Sequence, residues 1–347
     1  MNGQRTEARH LARKRLGALA LAAALLAGCG SSSSSGGSGG SGGSSKPSTT
    51  AAAGSDTSAF EPVTIDHVYG STEISERPER IVSLDPQWTD VLLSMGVTPV
   101  GYVTSPQISE SGTFPWQEDM LADSEPITYT DGIPVEAVAA LQPDLILGTY
   151  VFPKQADYDR LAGQFDVIAA PTDEQVQSME DLIEITGRFL GDPDRAQEVL
   201  DDVDADVAAV AEELPGLDGK TIAFANYYAA GGQLVVLSDP DDGANVLFSQ
   251  LGLDLAPGVV KLGKGTNGRA ELSLEQVDAL DGDILLMLTN GAETDDIVGY
   301  EQLPAVKAGT AQVLDTPEAW ALNTPSPLSI PWALDQIRPT LEAAAEQ

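Results

Sequence analysis

DPDRAQEVLDDVDADVAAVAEEL, residues 192–214, decides the architecture of this chain. Its apolar residues Ala196, Val199, Leu200, Val203, Val207, Val210, Ala211 and Leu214 recur at spacings of three and four. That spacing puts them on one face of a helix. Asp192 is a suitable N-cap, and Pro193 fits the first helical position, where no amide bond is lost. Pro215-Gly216 ends the run. Such a helix is roughly 33 Å long, about the width of a small domain.

The stretches on either side share a pattern. VEAVAALQPDLILGTY (135–150) precedes the helix and LEQVDALDGDILLMLTN (274–290) follows it. Glu136 aligns with Glu275, Val138 with Val277, Leu141 with Leu280 and Asp144 with Asp283, all at one offset. Each copy reads as a short helix, a tight turn and a buried strand. Two α/β lobes of similar design, residues 60–191 and 215–347, are therefore expected on either side of a single rigid helix, 192–214.

Within the first lobe a hairpin is expected over 63–71. Strands follow at 80–85, 100–103, 144–149 and 165–170, with helices at 86–95 and 133–141. Alternating strands and helices predict a mostly parallel sheet in a three-layer α/β lobe. In the second lobe strands are expected at 221–227, 233–238, 283–289 and 312–315, with a helix at 242–251. A closing helix at 331–345 contains Pro339, which is expected to break or kink it.

The 347 residues are enough for two lobes with substantial cores. A formal charge of −35 repels nucleic acid and anionic membrane surfaces, which sets both aside as ligands. The chain opens with Arg5, Arg9, Arg13, Lys14 and Arg15, then an apolar run at 16–27, then Leu26-Ala27-Gly28-Cys29. This is an export signal over 1–28, too short to span a bilayer. Its ending resembles a bacterial lipobox, in which the cysteine is lipidated and becomes the first mature residue. Cys29 is the only cysteine, so no intramolecular disulfide forms. Residues 30–45 are almost pure Ser and Gly, and 29–59 read as a lipidated, flexible tether with a reach of roughly 30 Å.

In parallel sheets ligands bind beyond the carboxyl ends of strands, in the cleft expected between the lobes. The residues at or just past those ends supply the candidates Trp88, Tyr102 (inside its strand), Tyr150, Tyr227, Tyr228, Asn290 and Trp320. Lys261, Lys264 and Arg269 stand within nine positions, around a Gly-rich loop expected to lead into a helix near Ser273. Thirteen basic residues remain after the signal, so a basic loop facing the cleft would concentrate an anionic ligand. Lys264 and Arg269 therefore join the candidates.

Catalytic signatures are missing. His10 lies in the signal, which leaves His67 as the only histidine of the exported part. The sequence contains no HExxH, CxxC, GxSxG or GxxxxGK[ST]. No catalytic residue, resident metal or cofactor is assigned, and no enzymatic activity is expected. A surface hydrolase working through carboxylates is the disfavoured alternative, and glycan or ester turnover would reveal it.

ERPERIVSLDPQWTDVLLSMGVTPVGYV (76–103), followed by VEAVAALQPDLILGTY, resembles the ferric-siderophore-binding and cobalamin-binding lipoproteins of bacterial ABC importers. The resemblance runs from about Thr64 to the C-terminus and is densest in the blocks RIVSL, GVTPVG and ALQPDLI. It implies two α/β lobes joined by one long helix, and a monomeric lipoprotein held at the outer face of the cell membrane. It implies capture of a ferric siderophore for an ABC permease, with cobalamin or haem as the alternative ligand. In that family one acidic residue on each lobe docks onto permease arginines, a pattern that Glu136 and Glu275 match.

Overall fold

The computed structural model describes residues 60–347 apart from 105–111, 130–131 and 175. The export signal, Cys29 and the tether fall outside the described residues. The first lobe opens with a hairpin of β1 (Val63–His67) and β2 (Gly70–Ile74). Then come β3 (Ile81–Ser83), α1 (Pro86–Ser94), β4 (Gly101–Thr104), β5 (Glu125–Thr128) and α2 (Val135–Ala140). The lobe finishes with β6 (Leu145–Leu147), α3 (Gln155–Ala162), β7 (Val167–Ile168) and α4 (Met179–Leu190). Its five-stranded sheet is wholly parallel, in the order β5-β4-β3-β6-β7.

The connecting helix α5 spans Pro193–Glu213, and Asp192 caps it by accepting the Arg195 amide at 3.2 Å. Its apolar face runs from one core into the other. Ala196 and Val199 pack among Trp88, Leu182 and Phe189 of the first lobe. Val203, Val207 and Val210 pack among Phe224, Leu247 and Ile337 of the second. A fully buried valine contributes about 1.5–3 kcal/mol, so three on one face fix the helix firmly to the second lobe.

The second lobe holds β8 (Thr221–Tyr228), β9 (Gln233–Leu237), α6 (Gly243–Gln250), β10 (Asp254–Leu255), α7 (Pro257–Leu262) and β11 (Arg269–Ser273). It continues with β12 (Ile284–Leu288), α8 (Pro304–Ala308), β13 (Ala311–Leu314), α9 (Thr316–Asn323) and α10 (Ser329–Ala345). The sheet order is β11-β9-β8-β12-β13, with β10 beside the start of β8. Here β8, β10, β12 and β13 are parallel, but β9 and β11 run antiparallel. A four-residue connection joins Tyr228 to Gln233, and so short a link permits only an antiparallel neighbour.

The two copies of the repeated unit do the same work. The Asp144 carboxylate accepts the Arg80 amide, just before β3, at 2.9 Å. The Asp283 carboxylate accepts the Thr221 amide, at the start of β8, at 2.8 Å. Each aspartate thus ties the start of its own strand to the central strand beside it. Val138 and Val277 are both buried. The copies differ in one respect: residues 274–280 form a 3-10 helix rather than an α-helix.

The Gly-rich loop passes through edge strand β11 into the helix expected near Ser273, which Ser273 caps, and Thr266 pairs with Arg269 to turn the chain. Gly265 has φ +65°, and a side chain there would strike the Arg269 carbonyl, so the turn requires glycine. The break expected at Pro339 does not occur, because helix α10 runs through that position. The lost amide bond is offset by Ile337, Leu341 and Ala344, all in the core around it.

Candidate ligand cleft

A cavity of about 590 Å³ opens between the lobes, within the range of small-molecule sites. Asn226 and Tyr228 at the end of β8, Leu288 and Asn290 at the end of β12, and Trp320 on α9 form its second-lobe wall. Tyr150, three residues beyond β6, and Val176 face them from the first lobe. The cavity therefore lies where parallel strands point their carboxyl ends. Tyr150 and Tyr228 are 39% and 47% exposed, so both rings are free to stack on a ligand. Burial, and then the charge of Asp85, pushes the Tyr150 phenol upward, so it stays protonated and can donate a hydrogen bond. Asn226 is 6% exposed and its Oδ1 has no protein partner. A buried acceptor of this kind is costly unless a ligand or water fills it.

A second groove of about 620 Å³ runs along α5, past Gln197, Leu200 and Val203. Eight carboxylates line it, and it shares Val176, Asn267 and Arg269 with the cleft. Aromatic rings and neutral polar groups converge instead in the strand-end cavity.

The structure separates the sequence candidates. Tyr150, Tyr228, Arg269, Asn290 and Trp320 are brought together around the cavity. Asn290 holds a left-handed backbone, φ +52°, while its Nδ2 donates to the Tyr227 carbonyl at 2.8 Å. Trp88 is not at the cleft: it is fully buried in the first-lobe core beside Phe189. Its position with Val91, Leu92 and Met95 is the apolar face of α1. Tyr227 is also buried, on the face of β8 opposite Asn226 and Tyr228. Strand alternation forbids Tyr227 and Tyr228 from sharing a wall. Tyr102 packs with Leu93, Leu121 and Leu328, and burial raises its hydroxyl. Lys264 points into the α5 groove, 2.9 Å from Asp239 and 2.7 Å from Asp241. Asn226, which the sequence places at a strand end beside Tyr227 and Tyr228, is not among the candidates but lines the cavity on the same strand face as Tyr228.

Residues 81–319 match the periplasmic binding protein family over most of the chain. The chain belongs to this family. The "Probable siderophore-binding lipoprotein YfiY" of Bacillus subtilis is 26% identical over 284 residues, 76% of this chain and 84% of that protein. PiaA of Streptococcus pneumoniae, solved in complex with ferrichrome, superposes with a TM-score of 0.70 at 23% identity. That match covers 82% of this chain and 99% of PiaA. SirA of Staphylococcus aureus, complexed with staphyloferrin B, gives 0.66 at 22% identity, over 80% of this chain and 98% of SirA.

In this periplasmic binding protein the lobes are also joined behind the cleft. Gln87 Nε2 donates to the Pro325 carbonyl at 2.9 Å. Ser326 Oγ donates to Asp90 Oδ2 at 2.5 Å, across the interface. Asp90 accepts Trp116 Nε1 and Gln117 Nε2 as well, and no salt bridge reaches it among the described residues. Burial pushes its carboxyl up to about 6, and the charge of Asp85 adds to the shift. Phe114 stacks on Trp116 at 4.4 Å, and these rings meet Trp320 and Trp332 of the second lobe. His67 is spent on structure. It is buried against Tyr158, its Nε2 lies 3.1 Å from Thr72 Oγ1, and burial holds its pKa down.

Proposed function

We propose that this protein captures a ferric siderophore between its lobes and delivers it to the permease of an ABC importer, without chemical turnover. The observation that carries the reading is the aromatic, polar cavity at the strand ends of both lobes. The siderophore-binding relative YfiY and the ferrichrome and staphyloferrin B complexes of PiaA and SirA support the ligand class. Among the described residues no group of three or more His, Cys, Asp or Glu is arranged to hold a metal ion. Iron on this reading arrives chelated, as cargo. Lipidation of Cys29 and the 29–59 tether would hold a monomer at the outer face of the membrane.

Fluorescence titration with ferric siderophores tests this reading, because Trp320 lines the cavity. Saturable quenching is expected, and Arg269→Ala should weaken it by about 1–3 kcal/mol through loss of a charge-assisted donor. Lys264→Ala should leave affinity unchanged, since Lys264 serves Asp239 and Asp241. Saturable binding of haem or cobalamin with no response to any ferric chelate would contradict the proposal.

Glu136 and Glu275 are exposed, and neither is ion-paired among the described residues. They occupy the same position in the two repeated units, in the first turn of each short helix. We assign them to permease docking. A Glu136→Arg, Glu275→Arg double variant should keep its ligand affinity and stop uptake in cells. Uptake at the wild-type rate would reduce both residues to favourable charges at helix starts.

A further inference from the structure

The charge of the cleft can be counted. Arg269 is the one cation lining the strand-end cavity among the described residues. Its Nη1 lies 3.1 Å from Asp242 Oδ2, and the Asp242 side chain is only 5% exposed. Glu271, two residues further along β11, lines the same cavity. Asp85 is fully buried on the first-lobe side, where its carboxylate also accepts the Tyr150 amide. The internal residues outside the description, 105–111, 130–131 and 175, include no Lys or Arg. Among the described residues the cleft thus carries no net positive charge, and the basic loop that suggested an anionic ligand is neutralised by its own neighbours.

That balance discriminates between ferric chelates. A tris(catecholate) or carboxylate-rich chelate is a net anion, and taking it out of water requires fixed cations to replace its hydration. Three hydroxamates, each singly charged, cancel Fe3+ and leave a neutral complex, and an attached ammonium makes it cationic. Such a ligand needs ring surface and a few directed hydrogen bonds. Tyr150, Tyr228 and Trp320 offer the rings, Arg269 and the Tyr150 hydroxyl offer donors to hydroxamate oxygens, and Asn226 Oδ1 and Glu271 accept N–H groups.

Resting on the siderophore reading above, we infer that the cleft selects ferric chelates of neutral or positive charge, of the trihydroxamate class, and that Asp242 and Glu271 impose this selection by cancelling Arg269. The test titrates the protein, at one low ionic strength, with ferrichrome, ferrioxamine B, ferric staphyloferrin B and a ferric tris(catecholate). Hydroxamate chelates should bind at least about 100-fold more tightly than the anionic ones. In an Asp242→Asn, Glu271→Gln double variant the gap should narrow by about tenfold or more, through stronger binding of the anions. Asparagine can still cap α6 at position 242 by accepting the Ala244 amide, so the fold is kept. An anionic chelate binding as tightly as the hydroxamates, or a gap unchanged in the double variant, overturns the inference while leaving the siderophore reading intact. No binding of any ferric chelate overturns both.

Discussion

Trp88→Ala is expected to cost about 3–5 kcal/mol of unfolding free energy and to leave ligand affinity of the folded protein unchanged. Trp88 is among the largest fully buried side chains and fills the first-lobe core between α1 and α4. Truncation opens a cavity that Phe189, Leu182 and Val199 can only partly close. Trp88→Phe should be far milder, about 1.5 kcal/mol or less, because it keeps a ring and removes an indole N–H that has no partner. Denaturant unfolding of both variants, with a ligand titration of each at low temperature, separates the outcomes. A Trp88→Ala protein of near-wild-type stability and tenfold lower affinity would return Trp88 to the cleft.

The second large effect is a pH dependence. Burial raises the Asp90 carboxyl from 3.8 to about 6, so the folded state holds this proton more tightly than the unfolded chain. The stabilisation it contributes is fully present below about pH 4 and is lost as pH rises through about 6. The whole loss is about 3 kcal/mol at 1.36 kcal/mol per pKa unit. Asp90→Asn abolishes this titration while keeping the side chain's size and shape. Between about pH 4.5 and 7.5 the wild-type protein should lose about 2 kcal/mol more stability than the variant. Comparing the two proteins cancels the other titrating groups, including Asp85, which burial shifts in the same direction. Parallel stability curves for wild type and variant would mean that Asp90 does not titrate in this window. The Ser326 hydroxyl that bonds Asp90 lies 236 residues away, so this carboxylate also belongs to the frame that joins the lobes.

Much of the fold was legible because local patterns and tertiary burial agree. The helix expected at 192–214 is α5, since its apolar period matched two cores at once. Asp144 and Asp283 stood at one offset and perform one job. Helix α4 was equally legible but passed over: Ser178 caps it, Leu182, Ile183, Phe189 and Leu190 face the core, and Gly191 ends it in the left-handed region. Strand β11 was hidden behind its Gly-rich turn. Among the candidate residues, Trp88 and Tyr227 were chosen for being aromatic and near strand ends. The helical period of α1 and the alternation of β8 already assigned both to cores. Other features could not be read at all. Neither the ion pair of Arg269 with Asp242 nor the open acceptor of Asn226 leaves a mark in local sequence, because both arise where distant segments meet.

The account rests on the ligand lying at the strand ends of both lobes. A crystal structure of the protein with a ferric trihydroxamate tests that most directly. The iron chelate is predicted between Tyr150 on one lobe and Tyr228 and Trp320 on the other, within reach of Arg269. A chelate seated instead in the carboxylate-lined groove beside α5, or on one lobe alone, would contradict it.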